Sequence, residues 1–542
     1  MPWNQTYDPL NSWLLSTLLA TLPTLVLLGA LALGRIKAHW SAILGLASAL
    51  IIAIVAFGMP VDKATSAALF GAIYGLFPIG WIILNVIFLY TLTNEKGYFR
   101  ILQESLTRVT HDSRLQLLLI AFSFGAFFEG AAGFGTPVAV TAAILIGLGF
   151  NPLAASGLSL IANTAPVAFG GLGTPILALA GVTELDALKL SAMVGRQLPF
   201  FSIIIPFWLV WAFAGFRRTI EVLPALLVAG VFFAIPQFLI SNLHGPWLVD
   251  VIASIISMVA LIAFLLVWKP KQIWQLEGQV KTNTARHDAV QIAKAWLPWV
   301  ILSVVVFIWG IPDVKNFFDS VSLLKVAVPD IDKLINRMPP IVAKPTAESA
   351  VFSFNWLSAT GTAIFIAALL SACLMGYRPC EIARAWWATL KRVRFSLATV
   401  AAMLALGYTT RYAGLDATLG LAFAKTGALY PFFGTLLGWL GVALTGSDTS
   451  SDVMFGSLQR ITAEQIGISP VLMAAANSSG GVMGKMIDAQ SIVVASTATR
   501  WYGHEGDILR YVFFHSIALA ALVGVLVFLQ AYVFPFTELV VK

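Results

Sequence analysis

The stretch FFEGAAGFGTP, residues 127–137, sets a single carboxylate inside a long apolar run. Glu129 is the only charged residue from position 115 to position 183, and glycines follow it at 130, 133 and 135. An ionised carboxylate at bilayer depth costs about 3 kcal/mol on insertion scales. Glu129 is therefore expected to face protein or water, to find a partner, or to carry a proton.

The glycines and Pro137 of the same stretch predict a break between two helices. Glycine lets the backbone leave helical geometry, and proline suits the first turn of a helix. Irregular backbone at membrane depth is tolerated only where protein or a cavity surrounds it. We predict a helix–break–helix unit beside a cavity, with Gly133 in the break; the alternative is an apolar loop at the surface.

The overall composition places the chain in a membrane. Hydrophobic residues make up 59% of 542 positions, charged residues 11%, and the mean hydropathy is +0.87. Runs such as 12–34, 40–58, 246–267 and 358–376 are near the ~20 residues that cross a bilayer as a helix. We predict an all-α polytopic membrane protein with about 12–14 hydrophobic segments. The net charge of +7 is then assigned to cytoplasmic loops rather than to nucleic-acid binding.

Basic residues orient the predicted spans. Arg35 and Lys37 follow the first span, and no Lys or Arg precedes it. The positive-inside rule then places the N-terminus outside the cell and the protein in the inner (plasma) membrane. Residues 268–294 are predicted to form a cytoplasmic loop and 312–352 an extracytoplasmic one. The rule is weak for 312–352, which carries both signs of charge.

Two glycine-rich regions repeat one order of features. FFEGAAGFGTP is followed by LIANTAPVAFGGLGTPI (160–176), and LTGSDTSSDVMFG (444–456) is followed by MAAANSSGGVMGKMIDAQS (473–491). In each pair a turn with a carboxylate precedes a predicted turn at Asn163 or Asn477. The loop count has the two regions enter the membrane from opposite sides. We predict one transport domain, 1–542, with inverted repeat cores at 115–240 and 395–534; chance similarity of polar turns is the alternative.

Polar residues at these breaks are candidates for binding an anion. Half-helix N-termini present free N–H groups, which suit a carboxylate at Asn163 and Thr164 or at 477–479. Each Asn also has a structural interpretation, as a buried amide that satisfies a kinked backbone. Asp448 stands among the hydroxyls of Ser447 and Thr449, which can serve a site or simply cap a helix.

Two cations stand inside apolar segments. Lys485 lies three residues before Asp488, so it either forms a structural ion pair on one helix face or balances an anionic substrate. Arg196 either extends to the membrane interface or steers an anion; Arg411 and His515 carry weaker signals of this kind. The sequence lacks a P-loop, a Cys/His metal spacing and a nucleophile elbow. We therefore predict no catalytic residues, no metal and no cofactor, with energy taken from an ion gradient.

At these motifs the sequence resembles the L-lactate permease family. The resemblance runs through FGAFFEGAAGFGTPVAVTAA, NTAPVAFG, VGRQLPF, RMPPIV, NWLSATGTAI, GWLGVALTGSDTSS and GKMI…QSI. It implies proton-coupled uptake of lactate, with glycolate for some members, and less directly a kinship with carriers that use paired re-entrant hairpins and elevator motion. It also implies functional roles for Glu129, Asn163, Thr164, Arg196, Asp448, Asn477 and Lys485. Near Lys485 the family pattern has a serine-proline pair where this chain has Asp488 and Ala489.

The resulting hypothesis is a proton symporter for L-lactate and related short 2-hydroxy-monocarboxylates, including D-lactate and glycolate. Glu129 is the first choice for the proton-coupling carboxylate and Asp448 the second. Substrate contacts are assigned to Gly133, Asn163, Thr164, Arg196, Ser447, Thr449, Asn477, Ser478, Ser479 and Lys485. The partners expected are this substrate, the proton and the lipid bilayer, without nucleic acid. Alternatives are a sodium-coupled organic-anion carrier and, in another class, a membrane-embedded enzyme or a pore.

Overall fold

The fold was determined as a computed structural model that describes residues 2–32, 36–106, 108–131, 136–276, 287–342, 344–501 and 504–542. In this described part, eight helices are long and apolar enough to cross a membrane, and two bent helix pairs raise the number to ten. Four shorter apolar helices accompany them. The all-α polytopic architecture expected from composition is confirmed. Helices are favoured in lipid because they satisfy the hydrogen-bonding needs of every backbone N–H and C=O group.

The predicted spans are found as helices whose described ends differ from the predicted ones by no more than three residues. The first half of the chain forms α1 (Trp13–Ala32), α2 (Ala38–Val55), α3 (Val61–Tyr74), α4 (Trp81–Glu95), α5 (Tyr98–Leu106), α6 (Ser113–Leu117), α7 (Gly125–Ala131), α8 (Thr136–Gly147), α9 (Pro152–Ala162), α10 (Gly170–Thr183), α11 (Ala187–Val194), α12 (Leu198–Ala214), α13 (Phe216–Ile220), α14 (Leu223–Leu243) and α15 (Val249–Val267). Wider π-helical segments join α3 to α4 (Gly75–Gly80) and α6 to α7 (Leu118–Phe124).

The second half of the chain is also mainly helical. It forms α16 (Ala289–Gly310), α17 (Pro312–Ser322), α18 (Thr360–Leu374), α19 (Pro379–Ala413), α20 (Leu415–Ala424), α21 (Tyr430–Thr445), α22 (Asp448–Ile466), α23 (Pro470–Gly484), α24 (Ala489–Ala498) and α25 (Glu505–Tyr532). In α19 the basic stretch after position 378 and the apolar span that ends at Ala413 form one continuous helix of 35 residues.

Residues 312–352 are structured rather than a plain loop. Besides α17 they hold β2 (Leu323–Ala327), β3 (Ile335–Arg337) and β4 (Thr346–Ala347), and β5 (Val351–Asn355) extends just beyond them. Strands β2 and β5 pair antiparallel, while β3 lies between β4 and the N-terminal strand β1 (Trp3–Asn4). The N-terminus and this segment therefore lie at one end of the molecule.

A helical hairpin is formed by α6, α7 and α8, and we call it the first hairpin. A Cβ atom on Gly125 would lie 3.1 Å from Cγ2 of Thr141, so the returning helix runs close along the first. Asp112 caps α6 by accepting from the backbone N–H of Arg114. Residues 132–135, where a break at Gly133 was predicted, lie outside the described residues.

The chain that follows the first hairpin is a helix with a break, here named the first broken helix. Its half α9 begins at the Asn151 cap with Pro152 in the first turn and ends at Ala162. Its second half, α10, is inclined by 63°. The break predicted at Asn163 and Thr164 is thus present, where Pro166 removes a backbone donor.

The second hairpin consists of α21 and α22. Gly446 ends α21 in the left-handed conformation (φ 74°), and Ser447 caps α22 by accepting from the backbone N–H of Ser450. The two arms are antiparallel, since Ser451 donates to Gly438 O at 3.0 Å and Gln459 donates to Gly434 O at 2.6 Å. The segment α20 precedes it at a bend of 112°.

The second broken helix, α23 and α24, differs from the prediction. Asn477, Ser478 and Ser479 lie inside the continuous helix α23, and the break comes at 485–488. The glycines after them serve close packing instead: Gly480 faces the backbone of Thr435 and Gly484 that of Trp439. Small residues let two membrane helices approach closely. A half-helix N-terminus at 477–479 was therefore a wrong expectation.

Candidate functional site

The two hairpins and the two broken helices meet around one cavity of about 140 Å³, which we call the central cavity. It is lined by Glu129 of α7, Val167, Gly170, Gly171, Thr174 and Pro175 at the first break, Ser396 of α19, Gly446, Ser447, Asp448 and Thr449 at the second hairpin turn, and Lys485 at the second break. Five residues predicted from sequence are thus brought to one place. Apart from Ser396, every residue of this lining belongs to one of the two hairpins or the two broken helices.

Glu129 reaches the central cavity from the last turn of α7, and its side chain is 5% exposed. Gly170 makes room for it, because a Cβ atom there would lie 2.5 Å from Glu129 Oε1. Glu129 Oε2 has no hydrogen-bond partner among the described residues. A buried oxygen in this condition is open to a proton or to a ligand that donates.

Asp448 faces the same cavity from the first turn of α22, where the helix dipole favours a negative charge. Its Oδ2 accepts a hydrogen bond of 2.6 Å from Ser478 Oγ, on the neighbouring helix α23. Its Oδ1 is buried without a partner in the part of the chain that the structure describes. Gly481 provides the space for this carboxylate, since a Cβ atom there would collide with Oδ1.

The Lys485 side chain links the turn of the second hairpin to the second break. Its Nζ donates to Gly446 O at 2.6 Å and lies 3.3 Å from Asp488 Oδ2. The structural ion pair expected from their spacing is therefore present, with Asp488 also capping α24 through the backbone N–H of Ser491. Lys485 nevertheless lines the central cavity, so its charge acts on whatever occupies that space.

The neighbours Asn163 and Thr164 differ in how they are used. The Asn163 side chain lies beside the Glu129 carboxylate and is 2% exposed. Within the described residues, neither its Oδ1 nor its Nδ2 has a hydrogen-bond partner of good geometry. The Thr164 hydroxyl instead donates to Ile161 O at 2.8 Å and so completes the end of α9.

Asn477 and Ser479 are buried in α23 next to the cavity wall. Asn477 Nδ2 donates to Asp452 Oδ1 at 2.9 Å, and its Oδ1 accepts from Gln459 at 3.2 Å. These bonds hold α23 against α22. Ser479 Oγ is buried with no partner among the residues described.

Arg196 is placed elsewhere. Its guanidinium donates to Asn242 Oδ1 at 3.0 Å and to Leu539 O at 3.1 Å, so it ties α14 to the C-terminal segment. The structure does not bring it to the central cavity. Metal ligation is equally unsupported, because no group of three or more His, Cys, Asp or Glu residues suited to a metal occurs in the described chain.

Two carboxylates near the site were missed from sequence. Asp250, in the first turn of α15, is 1% exposed, neither of its oxygens has a partner among the described residues, and it packs against Gly130. Asp452 is fully buried in the second turn of α22, where it accepts a hydrogen bond from Asn477. The signal for Asp250 was its isolation: it is the only charge in α15.

Comparisons with known proteins agree with this architecture. The family model described as L-lactate permease matches residues 16–534. The L-lactate permease of Salmonella typhi is 46% identical over 98% of both chains, as is the Glycolate permease GlcA of Escherichia coli K12. The solved YdaH transporter of Alcanivorax borkumensis covers 85% of this chain and 86% of its own at 14% identity and a TM-score of 0.45, a likeness that carries no argument.

The family match spans nearly the whole chain and therefore applies to the hairpins and the broken helices alike. The described residues contain eight to ten helices able to cross a membrane. Together with the match to a permease family, this makes the protein a multi-pass membrane transporter and not an enzyme. The chain belongs to the L-lactate permease family.

Proposed function

We propose that the protein carries L-lactate and related short 2-hydroxy-monocarboxylates, D-lactate and glycolate among them, into the cell together with protons. The observation that carries this proposal is the central cavity, in which two carboxylates and one lysine face each other between four interrupted helices. The names of its relatives, L-lactate permease and Glycolate permease GlcA, supply the substrate class. Interrupted helices around a polar site are typical of secondary transporters.

The charges of the central cavity support the proposed coupling of substrate uptake to a proton. Glu129 and Asp448 place two negative charges beside the single positive charge of Lys485, which Asp488 already balances at 3.3 Å. An entering carboxylate adds further negative charge, and uncompensated charge at membrane depth costs several kcal/mol. A proton taken up by Glu129 with each substrate anion offsets that charge. Asp448 remains the second choice for this proton.

The substrate carboxylate is proposed to lie near Lys485 and the first N–H groups of α22, where Ser447 and Thr449 line the cavity. The 2-hydroxyl group then faces Glu129 and the unpartnered Asn163 amide. Ser478 and Asn477 act indirectly: Ser478 donates a hydrogen bond to Asp448, and Asn477 donates one to Asp452. Gly133, Thr164 and Ser479 stay in the wider set of proposed contacts, whereas Arg196 lies outside the central cavity and has no contact in this arrangement.

The arrangement also supports the proposed repeat. In each of the cores 115–240 and 395–534, a helical hairpin is followed by a broken helix, and both lead to the central cavity. We propose that the cores are inverted in the membrane and alternately expose the cavity to its two sides. We also propose that the protein lies in the inner membrane with its N-terminus outside, an orientation that the distribution of basic residues favours.

The test is uptake of labelled L-lactate by proteoliposomes in sodium-free buffer. With an inside-alkaline pH gradient we expect accumulation above the equilibrium level, and collapse of the gradient with a protonophore abolishes it. Accumulation that needs a sodium gradient instead would establish the sodium-coupled alternative. Lactate that equilibrates without accumulating under either gradient would exclude symport altogether.

The substrate range is tested by competition in the same proteoliposomes. Because the cavity is small and pairs a cation with hydrogen-bonding groups, we expect unlabelled glycolate and D-lactate to inhibit and lactamide, which lacks the carboxylate, to be without effect. Propionate tests the 2-hydroxyl group alone. Equal inhibition by propionate and L-lactate would contradict the assignment of that group to Asn163.

A further inference from the structure

A second cavity of about 540 Å³ lies beyond the C-terminal end of α10, and we name it the Arg411 cavity. Its walls come from α3, α10, α17 and α19 and from the strands β2 and β5. Arg411 and the aromatic rings of Tyr74, Tyr408 and Tyr412 are among the lining residues. It is separate from the central cavity, since the two share no lining residue.

Arg411 is a buried cation that faces this space. It stands in the last turn of α19, is 5% exposed, and its guanidinium lies 5.0 Å from the ring centre of Tyr412. Nη1 donates to Gly181 O at 3.4 Å, which fixes the group against α10. A planar guanidinium held between aromatic rings is well suited to bind a carboxylate.

The carboxylate now on Arg411 is that of Glu184, which pairs with Nη2. Glu184 has a left-handed backbone (φ 56°), unusual for a residue with a side chain, and its side chain is 41% exposed. Glu348 lies 3.8 Å from Arg411 Nε but is only 5% exposed. Glu184 is therefore the more exposed counter-ion of Arg411, while Glu348, which pairs more closely with Arg337, stays buried beside the guanidinium.

One helix, α10, contributes lining residues to both the Arg411 cavity and the central cavity. Ala180 and Gly181 of α10 line the former, and Gly170–Pro175 of the same helix contribute to the latter. Between them Leu177 lines a cavity of about 120 Å³, which shares Pro78 with the Arg411 cavity. At 1.5 Å per residue, Pro175 and Gly181 are separated by about 9 Å along the helix axis.

We propose that the Arg411 cavity is a receiving site for monocarboxylate anions, in which the carboxylate of the substrate replaces Glu184 on the Arg411 guanidinium before it moves along α10. This inference rests on the proposed function, because it takes the central cavity as the transport site. The larger volume and the tyrosine rings predict that the receiving site also holds aromatic 2-hydroxy acids that the central cavity excludes.

The first test compares KM and Vmax for L-lactate uptake in proteoliposomes. Glu184→Gln removes the competing charge, so KM should fall about three-fold, whereas Arg411→Lys loses the planar donor pair, so KM should rise about ten-fold with Vmax within about two-fold. Arg460→Lys is the control: Arg460 lies 3.8 Å from Glu184 and does not line the cavity. Its KM should match that of the wild type.

The second test uses mandelate, an aromatic 2-hydroxy acid, as the probe. We expect mandelate to inhibit lactate uptake competitively without being accumulated, more strongly in Glu184→Gln and more weakly in Arg411→Lys. Thermal unfolding checks each variant, and if Arg411→Lys fails to fold, Glu184→Gln decides alone. A KM and a mandelate inhibition constant that both stay within about two-fold of wild type in Glu184→Gln would overturn the proposal.

Failure of the transport function is distinguishable from failure of the receiving site. If wild-type protein does not accumulate lactate, equilibrium binding of labelled mandelate to the purified protein still tests Arg411. Tighter binding to Glu184→Gln than to wild type supports the site in that case too. Equal binding of mandelate to wild type, Glu184→Gln and Arg411→Lys would refute the proposed receiving site.

Discussion

The two hairpin and broken-helix pairs share a layout but treat their carboxylates differently. In the second pair Asp448 accepts from Ser478 and Asp452 accepts from Asn477. In the first pair Glu129 Oε2 and both oxygens of Asp250 are buried without a partner among the described residues. The carboxylates of the second pair are therefore held in place, and those of the first pair are not.

The cation of the central cavity, Lys485, also belongs to the second pair alone. Lys485 connects the second hairpin to the second break through Gly446 O and Asp488, and the lining contributed by the first pair contains no Lys or Arg. A buried carboxylate oxygen without a hydrogen-bond donor is the one that a bound proton stabilises most. From this difference we propose that the first pair serves the proton and the second pair serves the substrate anion.

The largest expected effect separates these two roles. Glu129→Gln is permanently neutral, so we expect pH-driven lactate accumulation to fall about 100-fold or more while exchange of internal for external lactate continues. Asp448→Asn should lower both activities together, about ten-fold, because it disturbs the anion site and leaves coupling intact. Both are measured in proteoliposomes, with Glu538→Gln, an exposed site, as the matched control. The reverse pattern would assign the proton to Asp448.

Lys485 tests whether the second pair needs its cation for stability or for transport. Lys485→Met leaves Asp488 buried and unpaired, which should lower the free energy of unfolding by about 3–5 kcal/mol. The double variant with Asp488→Asn keeps the α24 cap and should recover most of this stability, as thermal unfolding would show. We expect its lactate uptake to remain about 30-fold below wild type. Restored uptake would make Lys485 purely structural.

The spans and five of the residues that line the central cavity could be predicted from sequence, because both leave simple signals. Runs near 20 apolar residues can only be helices in lipid, and Glu129, Asp448 and Lys485 stand out as charges within apolar segments. Asp250 left a weaker signal, since a charge in the first turn of a span is ordinary. Its burial depends on Gly130, a contact from another part of the chain.

The position of the second break was not predictable, because glycine has two uses that look alike in sequence. Gly171 and Gly173 adopt positive φ at the start of α10, whereas Gly480 and Gly484 stay helical and admit the backbone of α21. Only the partner helix distinguishes the two. The same limit applies to the 112° bend before α21, since hydropathy carries no information on direction.

Replacing the glycines that face the two carboxylates by alanine should lower lactate uptake to different extents. Asp448 is fixed by Ser478, so Gly481→Ala should lower uptake about ten-fold, as the added methyl group displaces a carboxylate with no alternative position. Glu129 is longer and its Oε2 is unbonded within the described chain, so Gly170→Ala should cost about three-fold. Gly506→Ala, whose Cβ atom would meet nothing within 4 Å, is the control. Equal losses at both sites would remove the distinction between held and free carboxylates.

The smallest expected effect concerns neighbouring residues in the first break. Asn163 has two buried amide atoms without partners among the described residues, so Asn163→Ala should raise KM for L-lactate about five-fold. The Thr164 hydroxyl is already used by Ile161 O, so Thr164→Val should change KM by less than about two-fold. Propionate, which lacks the 2-hydroxyl group, should bind wild type and Asn163→Ala alike. If Thr164→Val raises KM for L-lactate more than Asn163→Ala does, the substrate hydroxyl faces the end of α9 rather than the carboxylate of the first hairpin.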